Sequence, residues 1–419
     1  MLIAGDVIIH DTDTLQRTKS AGVYKIPINV ESKGGIWDKN GQSILHKFQE
    51  RIKTTTTDDV EKKIIKLTEL KKEAQQKSDV AKSAVKKMIQ DIRQNGGRFE
   101  FNEVEDTVVQ LIDVITENEN PYAFLARNIH SYDDYLLNHS INVCTIGTAV
   151  LYEVNKLFKD QKKIGNRTVA VTEMMKRNNY DGRNEFYSID EIKRISIGYF
   201  LHDIGKIAVP EKLLNKNGKF TTQEFDTVRK HSHEYGRNIL DRNGIKDTLI
   251  QNSVIYHHST IYEGEGGTYP DIKDHNNIPE YVKICKLSDI YDAMTSKRSY
   301  KNAINPTEVV TSIFKMYSNK CDHLQLILHS FLKSIGNVPS GSIIKLKNKQ
   351  RAFVMDRQGP VIILITDDRG EKLKNIPDPI NLSDSDSRKK YEIDTNINLC
   401  SPKDSYNILP TFLKKMYAT

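Results

Sequence analysis

Between about residues 98 and 337, apolar side chains recur at intervals of three and four residues in one segment after another. The pattern is clear in VEDTVVQLIDVI, YLLNHSINVCTIGTAVLYEV, IDEIKRISIGYFLHDIGKI, TTQEFDTVRKHSHEYGRNILDR and IPEYVKICKLSDIYDAM. Such intervals place apolar side chains along one face of an α-helix. The sequence therefore predicts a mainly α, multi-helix domain, interrupted by two long loops at QKKIGNRTVAVTEMMKRNNYDGRNEF and YEGEGGTYPDIKDHNN.

Different patterns flank this domain. Residues 1–57 mix short β-type runs with Gly-Gly and Asn-Gly turns, which predicts a small strand-containing module or arm. Residues 58–97 lack Gly and Pro up to Gly96-Gly97 and are rich in Lys and Glu, which predicts a long connecting helix. This helix is either a solvated connector or, through residues 58–94, a homodimer contact that relays a signal. Residues 338–419 begin with alternating β-type runs broken by Asn, Gly and Pro, so a small C-terminal β unit is expected.

Composition excludes several classes of protein. Among 419 residues, 62 Lys and Arg exceed 55 Asp and Glu by seven, and both signs are intermixed along the chain. The sequence has no basic stripe interleaved with aromatic residues, so nucleic-acid binding is not predicted. The four cysteines lie far apart without a CxxC pair, which argues against a disulfide framework or a zinc ribbon. No export signal and no run of about 18 apolar residues is visible. A cytoplasmic protein without a membrane partner is expected.

Histidine and aspartate residues stand out within the predicted helices. Imidazole and carboxylate groups together suit iron, manganese or zinc, and a carboxylate flanked by histidines can bridge two ions. Taken singly, each residue is more often a hydrogen-bonded core or surface side chain. Seven candidates exceed the four that one tetrahedral site needs, so two ions fit the set better than one. The candidates are His139, His202, Asp203, His231 or His233, His257, His258 and Asp289.

A lysine accompanies this set. Lys206 follows His202 by four residues, so on a continuous helix both would share a face and an ammonium group would lie beside whatever the metals hold. Such a cation can stabilise a developing phosphate anion or a leaving oxygen.

Residues 124–337 resemble the HD-GYP phosphodiesterase domain, a bacterial branch of the HD metal-dependent phosphohydrolases. The resemblance rests on DYLLNHS at 134–140, HDIGK at 202–206, the histidine after EFDTVRK, the pair at 257 and 258, and SDIYDAMTSKRSYK at 288–301. It implies a phosphodiesterase that hydrolyses cyclic di-GMP to pGpG or GMP through a hydroxide activated by two divalent ions, most often iron or manganese.

The resemblance also implies a role for each residue. The metal ligands would be His139, His202, Asp203, His231, His257, His258 and Asp289, with Asp203 as the bridge. Lys206 of the HDxGK motif would act on the substrate, and Arg298 and Lys301 would hold its phosphate or guanine side. Tyr269 and Pro270 would belong to the substrate-binding loop. Asp292 would be a supporting carboxylate. Tyr135 stands where members with a third metal carry Glu.

Two segments depart from the family pattern. In HHSTIYEGEGGTYP, Ser259 replaces the family's Glu, one residue is inserted before Gly264, and two more separate Gly266 from Tyr269. The added glycines predict a looser or differently shaped grip on the substrate. HSHEYGRNIL carries one extra residue, which keeps His233 as a reserve for His231. Three functions stay open: an active phosphodiesterase, a catalytically weak cyclic di-GMP receptor, or an HD phosphohydrolase for another nucleotide or phosphoester.

Overall fold

The computed structural model describes residues 57–117, 135–164, 185–216, 218–296, 304, 306–318, 320–336, 343–356, 361–382, 384–394 and 409–414. The module predicted over residues 1–57 therefore falls outside the described residues, apart from Thr57. The longer helices are α1 (Thr57–Gln94), α2 (Phe101–Glu117), α3 (Tyr135–Ile164), α4 (Ile189–Leu201), α6 (Thr222–Lys230), α8 (Thr248–Tyr256), α9 (Glu280–Thr295), α10 (Pro306–Tyr317) and α11 (Asp322–Ile335).

Shorter elements complete the chain. They are a 3₁₀ turn (Ile204–Ala208), α5 (Glu211–Leu214), a π-helical turn (His231–Gly236), α7 (Arg237–Arg242), a second 3₁₀ turn (His275–Asn277), the strands β1 (Ile343–Lys345), β2 (Arg351–Asp356), β3 (Val361–Leu364) and β4 (Ile380–Asn381), α12 (Ser385–Lys390) and α13 (Thr411–Lys414). The predicted mainly α fold with a small C-terminal β unit is confirmed.

Helix α3 is the centre of the helical core, because α4, α9 and α11 all pack against it and α8 packs on α4. Gly147 permits the close approach of α3 to α4: a Cβ atom there would lie 2.4 Å from the ring of Tyr199. The hydroxyl of that tyrosine donates to the carbonyl oxygen of Tyr281 at the start of α9, at 2.6 Å. The buried hydroxyl is therefore paired, and it ties α4 to α9.

Helix α1 packs along the domain over its second half. Ala81, Val85, Met88 and Ile92 are buried at intervals of three and four residues, and they contact α2, α3 and the 3₁₀ turn that follows α4. The apolar face of this half of α1 is thus covered by the same chain rather than by solvent. The helix ends at the predicted glycines, where Gly96 and Gly97 adopt φ values of +61° and +93°.

The C-terminal strands form an antiparallel sheet in the order β1-β2-β3-β4. Phe353 on β2 pairs with Ile343 on β1 and with Ile363 on β3. Alternate residues such as Ile344, Val354 and Ile362 bury one face of the sheet in a separate small core. Among the described helices, none combines the length and the apolar content that a membrane crossing requires.

Candidate metal centre

Helix α3 carries the first candidate ligand, His139, on its buried face. Its Nδ1 atom donates to Oδ2 of Asp292 on α9 at 2.7 Å, and Oδ1 of the same aspartate accepts from Nδ2 of Asn142 at 2.7 Å. Ser296 Oγ also donates to Oδ1, at 3.2 Å. A carboxylate on Nδ1 fixes the ring orientation and leaves Nε2 to face a metal. Asp292 thus supports His139, as the sequence predicts for this carboxylate.

The second and third candidates lie where α4 ends. Ser188 and Glu191 form a capping box at the start of α4, and the helix stops at Leu201. His202 is the next residue, and its Nδ1 atom donates to the carbonyl oxygen of Tyr199 at 2.8 Å. Asp203 lies at the junction with the 3₁₀ turn and is 1% exposed. The change of helix type therefore turns both side chains into the same buried space.

Lys206 contacts Asp203 rather than lining up with His202. The prediction that His202 and Lys206 share the face of one continuous helix is wrong, because α4 ends before His202 and Lys206 belongs to a 3₁₀ turn. In that turn the ammonium group forms an ion pair with Oδ2 of Asp203, three residues earlier. The lysine nevertheless lies beside the candidate ligands, and it is 22% exposed.

The segment HSHEYG forms a π-helical turn between α6 and α7. A π turn adds one residue to a helix without changing the direction of the flanking turns. It therefore accommodates the extra residue of this segment and keeps Leu240 fully buried. His231 points inward and is 1% exposed. His233 is half-buried, and its Nδ1 atom lies 3.5 Å from Oγ of Ser232. The structure thus places His231, and not His233, among the other ligands.

Two glycines bring the π turn against the 3₁₀ turn. A Cβ atom on Gly205 would lie 1.8 Å from the carbonyl oxygen of His231 and 2.5 Å from the backbone nitrogen of Gly236. On Gly236, a Cβ atom would lie 2.8 Å from the same carbonyl oxygen. Only glycine allows this backbone contact, which holds His231 next to Asp203.

The remaining candidate ligands lie at the end of α8 and on α9. His257 follows the last residue of α8, and its Nδ1 atom donates to the carbonyl oxygen of Val254 at 2.8 Å. His258 is the next residue and is 24% exposed. Asp289 lies on α9, with one carboxylate oxygen 3.2 Å from Nε2 of His139 and the other 3.9 Å from Nδ1 of His258.

These side chains form two groups whose ligand atoms lie within 4.8 Å of one another. One group is Asp203, His231, His257 and His258, and the other is His139, His202 and Asp289. Asp203 faces both: Oδ1 lies 3.1 Å from Nε2 of His231, and Oδ2 lies 3.2 Å from Nε2 of His139. A carboxylate with one oxygen toward each group can bridge two ions.

Proton positions show why a cation fits the first group. Nδ1 of His231 donates to the carbonyl oxygen of Val228 at 2.8 Å, as Nδ1 of His257 does to Val254, so in the neutral rings both Nε2 atoms are acceptors. These two acceptors lie 3.3 Å apart. Oδ1 of Asp203 accepts no hydrogen bond from the described residues. Three buried lone pairs therefore converge without a proton, as a metal ion requires.

In the second group, His139, His202 and Asp289, one histidine retains a proton. Burial acts to lower the pKa of His139, but its hydrogen bonds with Asp203, Asp289 and Asp292 raise the pKa well above the usual value. Nε2 of His139 also lies 3.2 Å from Nε2 of His202. A proton on His139 thus takes the place that a cation would fill, and an ion binding there displaces it.

Burial and charge set the ionisation of the other ligands. Burial lowers the pKa values of His231, His257 and His258, which keeps these rings in the neutral, ligating form at pH 7. Burial opposes ionisation of Asp203, but the charges of Lys206 and His202 hold its pKa well below the usual value. Both carboxylates of the set, Asp203 and Asp289, are therefore anions.

The site opens where His258, Asp289 and Lys206 retain exposed surface. Tyr269 lies at this opening: its ring centroid is 4.6 Å from that of His258, and its backbone nitrogen donates to the carbonyl oxygen of His258 at 3.1 Å. Phe225 on α6 is 41% exposed and lies edge to face with Tyr269 at 6.1 Å. Pro270 follows Tyr269 in the same loop. Arg298 and Lys301 fall outside the described residues.

Two residues at this site, Asn142 and Phe225, are not among the candidates taken from the sequence. Asn142 follows His139 by three residues, so the spacing on α3 could have indicated a shared face. Phe225 lies six residues before His231, within the EFDTVRK string that precedes this histidine. Tyr135 begins α3, and its side chain lies outside the described residues.

Residues 169–323 match the family model described as "HD domain". This segment of the chain is similar to HD domains. A cyclic di-GMP phosphodiesterase of Pseudomonas aeruginosa is 26% identical over 279 residues, which cover 67% of this chain and 58% of that protein. A 3′3′-cGAMP-specific phosphodiesterase of Vibrio cholerae is 36% identical over 102 residues, 24% of this chain and 19% of that protein.

A cyclic di-GMP phosphodiesterase response regulator of Xanthomonas campestris pv. campestris is 33% identical over 116 residues, covering 28% of this chain and 30% of that protein. The matched part of this chain therefore covers less than two thirds of each of these three relatives: 58%, 19% and 30% of their lengths. The resemblance to HD-GYP proteins that the motifs indicate is confirmed. HD-domain phosphohydrolases depend on metal ions, and the buried His and Asp groups of this chain are able to hold them.

Proposed function

We propose that the protein is a metal-dependent phosphodiesterase for cyclic dinucleotides, with cyclic di-GMP as substrate and pGpG or GMP as product. The observation that carries the proposal is the position of Asp203, whose two carboxylate oxygens face two separate groups of ligands. Relatives named as cyclic di-GMP phosphodiesterases support the choice of substrate.

The proposed centre takes two divalent transition-metal ions, iron or manganese, with Asp203 shared between them. His139, His202 and Asp289 would hold one ion, and His231, His257 and His258 the other. When bound, such ions supply an activated water near neutral pH and a positive charge for the phosphate oxygens. The surrounding residues keep His231, His257 and His258 neutral and Asp203 and Asp289 anionic, and they keep the centre almost fully buried.

Charged groups around the opening would bind the phosphodiester. Lys206 lies beside Asp203, and in the loaded centre its ammonium group is placed to attract a nonbridging phosphate oxygen. Arg298 and Lys301 follow the end of α9, and we propose that they bind the phosphate or guanine side of the substrate through charge-assisted hydrogen bonds. The roles of these two residues rest on the SKRSYK motif.

Metal analysis combined with product analysis tests this function. Protein loaded anaerobically with ferrous iron or manganese should contain two ions per chain, and chromatography should show pGpG or GMP formed from cyclic di-GMP. One ion or none would contradict the shared role of Asp203. Three ions would show that a group near Tyr135 contributes a further site. Binding of cyclic di-GMP without product would favour the receptor, and faster hydrolysis of 3′3′-cGAMP would change the substrate.

The aromatic pair at the opening predicts a stacking contact for a nucleobase. Phe225→Ala should raise KM for cyclic di-GMP about tenfold, because stacking of one base on an aromatic ring contributes about 1–3 kcal/mol. Metal content and kcat should change little, since Phe225 contacts Tyr269 and none of the ligands. Phe314→Ala is the matched control, because Phe314 on α10 is 42% exposed. An unchanged KM in the Phe225 variant would exclude this contact.

A further inference from the structure

A buried ion pair lies outside the metal centre, between α9 and the loop that carries Tyr269. Nζ of Lys286 lies 2.7 Å from Oε1 of Glu265, and the two side chains are 7% and 9% exposed. Burial lowers the pKa of Lys286 against the opposing effect of Glu265. Burying two charges is costly unless further hydrogen bonds satisfy them, so their other partners indicate what the pair does.

Both residues bind the loop backbone. Nζ of Lys286 also donates to the carbonyl oxygen of Ser259 at 2.8 Å, directly after the ligand His258. Oε2 of Glu265 accepts from the backbone nitrogen of Ile261 at 2.8 Å, and its Oε1 accepts from the hydroxyl of Tyr317 on α10 at 3.1 Å. The pair therefore fastens the start and the middle of the loop to two helices.

This arrangement bears on the segment that departs from the HD-GYP pattern. Gly264 and Gly267 flank Glu265 closely and adopt φ values of +81° and +74°, which let the chain reverse on both sides of the anchored carboxylate. Ser259 stands where the family has Glu, and its buried hydroxyl oxygen has no hydrogen-bond partner among the described residues. The loop is thus anchored through the carbonyl of Ser259 and through Glu265. At the C-terminal end of the loop, the ring of Tyr269 contacts the ring of His258.

We propose that Lys286 and Glu265 are positioning residues that set the place of Tyr269 at the opening of the centre, and thereby the affinity for the cyclic dinucleotide. The proposal rests on the proposed function for its substrate. Neither side chain belongs to the groups of metal ligands, so their effect on the reaction passes through the loop. The inserted glycines lie between two points of the loop that have such contacts, Glu265 and Tyr269.

The test compares two buried lysines of α9. Lys286→Met leaves Glu265 buried without its cation, whereas Lys283→Met breaks a second buried pair, with Glu280 at 3.3 Å, three residues earlier on the same helix. Both variants should lower the thermal unfolding temperature. Only Lys286→Met should speed amide hydrogen exchange in residues 259–270 and raise KM for cyclic di-GMP, by about tenfold. Metal content and kcat for bis(p-nitrophenyl) phosphate should stay within about twofold of the wild type.

A second substitution separates positioning from stability. Glu265→Gln added to Lys286→Met removes the unpaired charge, keeps an oxygen acceptor for Ile261 and offers an amide donor to the hydroxyl of Tyr317. The contact with Ser259 stays lost, so the unfolding temperature should largely recover while the fast exchange and the raised KM persist. Unchanged exchange in Lys286→Met, or equal exchange in both lysine variants, would overturn the proposal. Loss of metal from Lys286→Met would also overturn it, in favour of a brace for His257 and His258. The hydrogen-exchange measurement tests the positioning role of Lys286 and Glu265 even if cyclic di-GMP is not the substrate.

Discussion

Replacing Asp203 by Ala should abolish hydrolysis and remove most of the bound metal. Each carboxylate oxygen of Asp203 faces a different group of candidate ligands, so both proposed ions would lose a ligand at once. The variant also loses the anion that Lys206 pairs with, and it leaves the ammonium group without its partner. Elemental analysis of the purified variant, together with product analysis, measures both effects.

Lys206→Ala is the matched comparison for this result. A protonated lysine has no lone pair to give to a metal, so the variant should keep both ions. Its turnover should fall by about 10²–10³-fold, as expected when one positioned charge is removed from a developing anion. Equal metal loss in the two variants would contradict the separate roles of Asp203 and Lys206.

The structure brings together the candidate ligands that the sequence indicates, because most of them lie in short motifs or on buried helix faces. His202 with Asp203 and His257 with His258 are adjacent residues, and helices deliver His139 and Asp289 from their buried faces. The choice between His231 and His233 could not be made in this way. It depends on a π turn, and the hydrogen bonding of that turn is not visible in the hydrophobic pattern.

Contacts between distant parts of the chain account for what the sequence did not predict. Asp292 reaches His139 across 153 positions, and Lys286 reaches Ser259 across 27. The glycines of the loop predict a flexible backbone, because glycine adds conformational freedom. The same residues give no sign that Glu265 forms an ion pair with a buried lysine. Such pairs appear only when the helices are packed, so the local sequence pattern indicates candidate ligands but not the residues packed around them.

The packing of α1 links the connecting helix to the centre. Val85, Met88 and Ile89 line a small cavity together with Ile207 and Asp203, so the second half of α1 lies against the segment that carries the central carboxylate. The interpretation of this helix as a homodimer contact that relays a signal stays a prediction.

The contact between Gly205 and the π turn predicts the largest effect of adding a single methyl group. In Gly205→Ala the new Cβ atom would meet the carbonyl oxygen of His231 at 1.8 Å, and backbone atoms cannot move aside as a flexible side chain can. The 3₁₀ and π turns must therefore separate, which withdraws His231 from Asp203. Overpacking of this kind costs about 1–3 kcal/mol or more. We expect a lower unfolding temperature, loss of metal from the group that contains His231, and loss of hydrolysis.

Gly266→Ala provides the control for that substitution. A Cβ atom on Gly266 meets no atom within 4 Å, and this glycine does not need a left-handed backbone. The same chemical change at Gly266 should therefore leave the unfolding temperature and the metal content close to those of the wild type. Thermal unfolding with and without added manganese distinguishes the two variants. Manganese should raise the unfolding temperature of the Gly266 variant as much as that of the wild type, and that of the Gly205 variant much less. The reason is that a metal stabilises only a fold in which its binding site is intact. Full metal content in Gly205→Ala would show that the two turns can separate without moving His231, and that the glycine contact is not what holds this ligand in place.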